Sequence, residues 1–198
     1  MRTDCLTYFS AWLIILLIAA VPPAAARDHK NTFASIYVGQ FSNTALNEIV
    51  RLNTDFEGTY VYVLSLGQEI GRWKDKIALE MEGQLGAYSG GQSHMEANGI
   101  FTLRWLPFPW DHRLDTSFAV GNGLSYATEE PPLEIREGNE DRSSRWLYYI
   151  LVETAFALPR APDWDVFLRI HHRSSVFGLF DGLFTASNFV GMGVRFRF

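Results

Sequence analysis

The stretch DVFLRIHHRSSVFG, from Asp165 to Gly178, decides the fold when it is read two residues at a time. Successive side chains of a β-strand point to opposite sides. One side then carries Val166, Leu168, Ile170, His172, Ser174 and Val176, and the other carries Asp165, Phe167, Arg169, His171, Arg173 and Ser175. The closing run SNFVGMGVRFRF sorts in the same way. Asn188, Val190, Met192, Val194, Phe196 and Phe198 share an apolar side, opposite Ser187, Phe189, Gly191, Gly193, Arg195 and Arg197. Two neighbouring strands of a transmembrane barrel fit this pattern, with charges turned inward and a lipid-facing outer side. On that outer side His172 and Ser174 stand where further leucine or valine would be expected.

Working outward, the chain holds roughly eight such segments of about ten residues, the length that crosses a bilayer as tilted strands. They run over Ile36–Ser42, Thr59–Ile70, Ile77–Ser89, His94–Phe108, Leu114–Thr128, Ser144–Leu158, Asp165–Gly178 and Ser187–Phe198. Between them, GRWKDK, PFPWDH and PRAPDW are compact and punctuated by Pro or Gly. On the other side stand FSNTALNEIVRLNTDFEG, YSGGQS, ATEEPPLEIREGNEDRS and FGLFDGLFTA, three of them long. Short turns at one rim and longer loops at the other are the habit of outer-membrane barrels. Tyr60, Tyr62, Trp105, Trp110, Trp146, Tyr148 and Trp164 fall near segment ends, where interfacial aromatic girdles belong. The expected fold is all-β: an eight-stranded antiparallel transmembrane β-barrel.

Arg2, the apolar run Ala11 to Val21, the Pro22–Pro23 break and Ala24 to Ala26 have the layout of a secretory signal. We read residues 1–26 as a cleaved signal peptide and 27–198 as the barrel, exported through the periplasm to the outer membrane of a Gram-negative cell. The single cysteine, Cys5, falls inside the signal. A disulfide framework, a thiolate metal site and a cysteine nucleophile are therefore excluded from the mature chain. A net charge of −5 gives no footprint for nucleic acid.

Parity places Glu80, Glu82, Gln84, Arg104, Glu153, Arg169, His171, Arg173, Arg195 and Arg197 in the barrel interior. With both signs present, a charge-paired plug is expected in place of an open pore. The carboxylate-rich run SYATEEPPLEIREGNED reads as a solvated loop, and His94 and His112 lack partners at metal-ligand spacing.

The chemistry concentrates at His172 and Ser174. Same-face neighbours on a strand lie roughly 6–7 Å apart at the backbone, and their side chains can lean together. A serine hydroxyl becomes a good nucleophile when a base takes its proton, and a neutral histidine is the usual base. A third group must then hold the imidazole in the right tautomer. Both residues fall near the outward end of the seventh strand, and Asn188 falls at similar height on the eighth. A lipid-side position there faces an outer-leaflet lipid.

A signal peptide, an eight-stranded length, a penultimate strand with His-x-Ser and a last strand ending in Phe198 together resemble the PagL-type lipid A 3-O-deacylases. The resemblance is carried by the last thirty or so residues. It implies an outer-surface esterase that removes an ester-linked acyl chain from the lipid A of lipopolysaccharide, without a metal or other cofactor. Ser174 would be the nucleophile and His172 the base. Two positions depart from the family's pattern. Ser175 stands where an Asn usually follows the Ser, and the family's Glu at the start of the last strand falls on Asn188. Either Asn188 or Asp181 could then orient His172, and backbone N–H groups near Ser175 to Gly178 could serve the oxyanion. The alternative is a non-catalytic small outer-membrane barrel with a structural, adhesion or membrane-integrity role. The sequence leaves the oligomeric state open.

Overall fold

The computed structural model describes residues 30–138 and 141–198. The signal peptide read over residues 1–26, with its Cys5, lies outside the described residues. Eight strands follow in chain order: β1 Thr32–Ser42, β2 Phe56–Trp73, β3 Ile77–Ser89, β4 Met95–Trp105, β5 Asp115–Ala127, β6 Trp146–Ala157, β7 Trp164–Ser174 and β8 Ala186–Arg197. Each pairs antiparallel with the next, and β8 pairs with β1 from Phe33↔Arg197 to Ser42↔Asn188, so the sheet closes. Closure removes both sheet edges, which is the condition for strands to cross a hydrocarbon layer.

The barrel is inside-out relative to a water-soluble one. Along β2 the outward residues Tyr62, Leu64 and Leu66 are all more than half exposed, while Val61, Val63 and Ser65 between them are buried. Ile36, Met81, Leu85, Phe101, Leu124, Val166, Leu168 and Met192 continue the apolar belt around the wall. Aromatics edge it, as expected. Trp73, Trp105, Trp110, Trp164 and Phe198 lie at the rim of the short connections, and Tyr60, Tyr62 and Trp146 lie toward the other.

The interior is a plug of paired charges. Glu153 accepts from Arg104 at 2.8 Å, Arg169 at 2.5 Å and Arg195 at 2.6 Å. Arg104 also forks onto Glu80 at 2.9 and 3.0 Å, and Arg169 onto Glu82 at 2.9 and 3.2 Å. Bidentate pairing of this kind supports several guanidinium groups out of water, where a lone charge would be costly. Phe167 lies under the guanidinium groups of both Arg169 and Arg195. Gly193 points inward at this level, and a Cβ there would be driven into Tyr37 and Phe167. Arg197 sits at the rim, a quarter exposed, and pairs with Asp165 at 3.0 Å.

Three expectations need correction. The seventh strand ends at Ser174, so Val176 does not extend its outer face; Val176 and Phe177 take left-handed φ values of 47° and 53° in the turn that follows. The first strand starts at Thr32, four residues before Ile36, because its lumen-facing Ser35 breaks the apolar pattern while still pairing with Ser65 and Arg195. The carboxylate-rich loop is not simply solvated. Within it, helix α2 (Pro132–Gly138), the counterpart of a short α1 (Leu46–Ile49) after β1, turns Leu133 and Glu134 into the barrel mouth. Leu133 there joins Phe41, Tyr88 and Phe189 in one apolar cluster.

Candidate functional site

His172 and Asn188 are cross-strand partners at the long-loop ends of β7 and β8, both turned outward. Side chains directly opposite on antiparallel strands are close enough to touch, and these do. His172 Nδ1–H donates to Asn188 Oδ1 at 2.6 Å. Asn188 Nδ2–H in turn donates to the backbone carbonyl of Thr44 at 2.9 Å. That second bond fixes the chemistry of the first. A backbone carbonyl only accepts, so the amide must present its NH2 to Thr44 and its oxygen to His172. The imidazole then carries its proton on Nδ1, and Nε2 is left with the free lone pair of a general base. Among the described residues, no hydrogen bond engages Nε2.

Ser174 is half-buried and lies two residues on, between Tyr148 of β6 and Ala186 of β8. Among the described residues its hydroxyl makes no hydrogen bond to His172, so that hydroxyl and His172 Nε2 are both unengaged on the same strand face. The pair is not bare to lipid. His172 is only 8% exposed and Asn188 only 7%. A cleft of about 230 Å³ opens beside Asn188, lined by Ser42 at the end of β1, by Asn43 and Thr44 of the β1–β2 connection and by Phe184, Ala186 and Glu137. The site therefore lies where outer wall and loops meet, sheltered from both lipid and water.

Asp181 is exposed at the tip of the β7–β8 connection, and its backbone carbonyl faces Arg142. Asn188, not Asp181, is the group in contact with His172. Ser175 faces inward, where its Oγ accepts from Thr185 N–H at 3.0 Å and donates to Thr185 O at 3.2 Å. Its own N–H is also spent on Thr185 O, at 3.0 Å, so it is not a free oxyanion donor.

Two contributors were missed from sequence. Thr44 acts through its backbone, which carries no residue signature, and reaches Asn188 only because β1 closes on β8. Glu134, in what reads as a polar loop, is buried behind the pair. It accepts from Arg173 Nη1 at 2.9 Å, Ser187 Oγ at 3.0 Å and Ser143 Oγ at 2.7 Å. Burial pushes its carboxyl above the ordinary range, against the opposing pull of Arg173 and the two hydroxyls.

Two eight-stranded barrels with TM-scores above 0.5 are among the solved structures that this chain resembles. The outer-membrane enzyme PagL matches with a TM-score of 0.54 and 11% identity, over 84% of this chain and 99% of its own. Neisserial surface protein A matches with a TM-score of 0.53 and 11% identity, over 86% of this chain and 98% of its own. This chain has the fold of an outer-membrane barrel. At such identity the likeness extends to the fold alone. No protein-family model and no curated protein sequence matches the chain.

Proposed function

We propose that the protein is an outer-membrane ester hydrolase that removes an ester-linked acyl chain from the lipid A of lipopolysaccharide. The observation that carries this reading is the Thr44–Asn188–His172 relay, which holds Nε2 of His172 free as a base on the strand face that carries Ser174. Ser174 Oγ attacks the acyl carbonyl carbon while its proton passes to His172 Nε2. The tetrahedral intermediate collapses by breaking the bond to the sugar oxygen, which takes that proton as it leaves. Water, activated by the same imidazole, then releases the acyl chain from Ser174. In this reading the oxyanion is served by backbone N–H groups in the turn after Ser174, from Val176 to Gly178. Residues 1–26 are the export signal in this reading, and residues 27–198 are the mature barrel. The resemblance of the last two strands to PagL-type deacylases and the fold shared with PagL support it.

A second reading is favoured by the uncharged Asn188 and by the lack of a hydrogen bond between Ser174 and His172. In it the barrel is non-catalytic, with a structural, adhesion or membrane-integrity role. Mass spectrometry of lipid A from cells expressing the wild type or Ser174→Ala separates the two. Loss of one hydroxyacyl chain with the wild type alone is expected. Unchanged lipid A, with the barrel shown to be inserted, would overturn the esterase reading.

A further inference from the structure

The inner face directly behind the site carries a second constellation. Arg173 and Ser187 are cross-strand partners one step beyond His172 and Asn188, and they point into the lumen. Glu134 Oε1 accepts from both, at 2.9 and 3.0 Å, so one buried oxygen bridges β7 and β8 at that step. Its other oxygen accepts from Ser143, at 2.7 Å, which ties in the end of the loop that leads to β6. Leu133 beside it is seated in the apolar cluster of the mouth. Neighbouring strand residues share a peptide plane, so moving Arg173 relative to Ser187 moves His172 relative to Asn188. A hydrogen bond has little tolerance for this, because it weakens beyond about 3.2 Å. The next carboxylate facing Arg173 is Glu96 of β4, 3.5 Å away and already shared with His171. Without Glu134 the guanidinium keeps the Arg145 backbone carbonyl at 3.3 Å, but Glu96 is its one remaining carboxylate among the described residues and draws it deeper into the lumen.

We propose that Glu134 is a positioning residue for the outward-facing site: seated in the lumen by α2, its carboxylate sets the spacing of β7 and β8 behind His172 and Asn188. The imidazole is then held in its base-competent tautomer only while α2 plugs the barrel mouth. The catalytic meaning rests on the esterase reading, but the geometric consequence does not.

The test is nitrogen-edited NMR of the detergent-solubilised full chain, reading the His172 Nδ1–H signal, together with rates of acyl release from lipopolysaccharide. In Glu134→Ala the Nδ1–H signal is expected to be lost, and kcat to fall on the order of 10- to 100-fold with KM unchanged, as for a misplaced catalytic group. Glu134→Gln, whose amide oxygen can still accept from Arg173 and Ser187, should restore both. Glu129→Gln, exposed in the same loop, should change neither. A wild-type Nδ1–H signal in a folded Glu134→Ala barrel would overturn the proposal. If that variant does not fold, Ser187→Ala, which removes only the link to β8, decides: loss of the signal supports the positioning role and retention overturns it. A wild type that releases no acyl chain, with the expected NMR changes, would sink the esterase and leave the positioning role standing.

Discussion

On the esterase reading, replacing Asn188 by Asp is the most demanding test of the site, because a carboxylate is what the deacylase resemblance asks for. Aspartate keeps the acceptor for His172 Nδ1–H and adds a charge. A charge-assisted bond is worth about 1.5–3 kcal/mol against about 1 for a neutral one, so imidazolium gains about 0.5–2 kcal/mol in the transition state. The other oxygen meets the carbonyl of Thr44, where Asn188 donates at 2.9 Å. That bond, worth about 1 kcal/mol, is lost, and two buried acceptors are left facing each other at about 1–3 kcal/mol more. At the middle of these ranges the net is unfavourable by about 1–2 kcal/mol; the carboxylate relieves it by turning away from His172, which misplaces the base, so kcat should fall about 5- to 30-fold. The assay is initial-rate acyl release from lipopolysaccharide in detergent micelles, with Asn188→Ala beside it as the variant that removes both bonds. An Asn188→Asp enzyme faster than wild type would show that the Thr44 carbonyl yields, and the account of why an amide stands at this position would be wrong.

Two further perturbations test the barrel itself. Glu153→Gln deprives Arg104, Arg169 and Arg195 of their shared carboxylate, and leaving buried charge uncompensated should cost about 3–5 kcal/mol. Urea titration of the heat-modifiable band in detergent would detect this, and a loss below about 1 kcal/mol would mean that water fills the lumen and screens the charges. His94, at the turn into β4, is stacked on Tyr88 at 4.2 Å, and among the described residues neither of its ring nitrogens has a hydrogen-bond partner. Burial pulls its pKa down from 6.5 to about 4, so the folded state takes up the proton later than the unfolded chain does. Its contribution to stability is complete above about 6.5 and is lost as pH falls toward about 4. Unfolding midpoints should decline across that window in the wild type and lose part of the slope in His94→Phe; an unchanged slope would place the imidazole in contact with water.

Most of the barrel was legible because alternation is a local property. Ile77–Ser89 was read with both ends correct, since every second residue from Ala78 to Tyr88 faces inward without interruption. The reading stopped short where local pattern and pairing part company. In β2 a register shift between Glu69 and Gly71 leaves Ile70 unpaired against β3, so the alternation slips while the strand runs on to Trp73. The site divides along the same line. The common height of His172, Ser174 and Asn188 is legible because spacing along two consecutive strands sets it. Thr44 and Glu134 were not, because their bonds to Asn188 and Arg173 span 144 and 39 residues and exist only once the sheet has closed and the loop has turned back. This also changes the meaning of the amide at 188. Taken from the sequence, it is a missing carboxylate. Against the Thr44 carbonyl it is the side chain that can accept from an imidazole and donate to a backbone oxygen at once, which a carboxylate cannot do. The departure from the deacylase pattern and the loop that accompanies it are therefore one feature, and a chain with the carboxylate at this position should place no backbone acceptor where Thr44 stands.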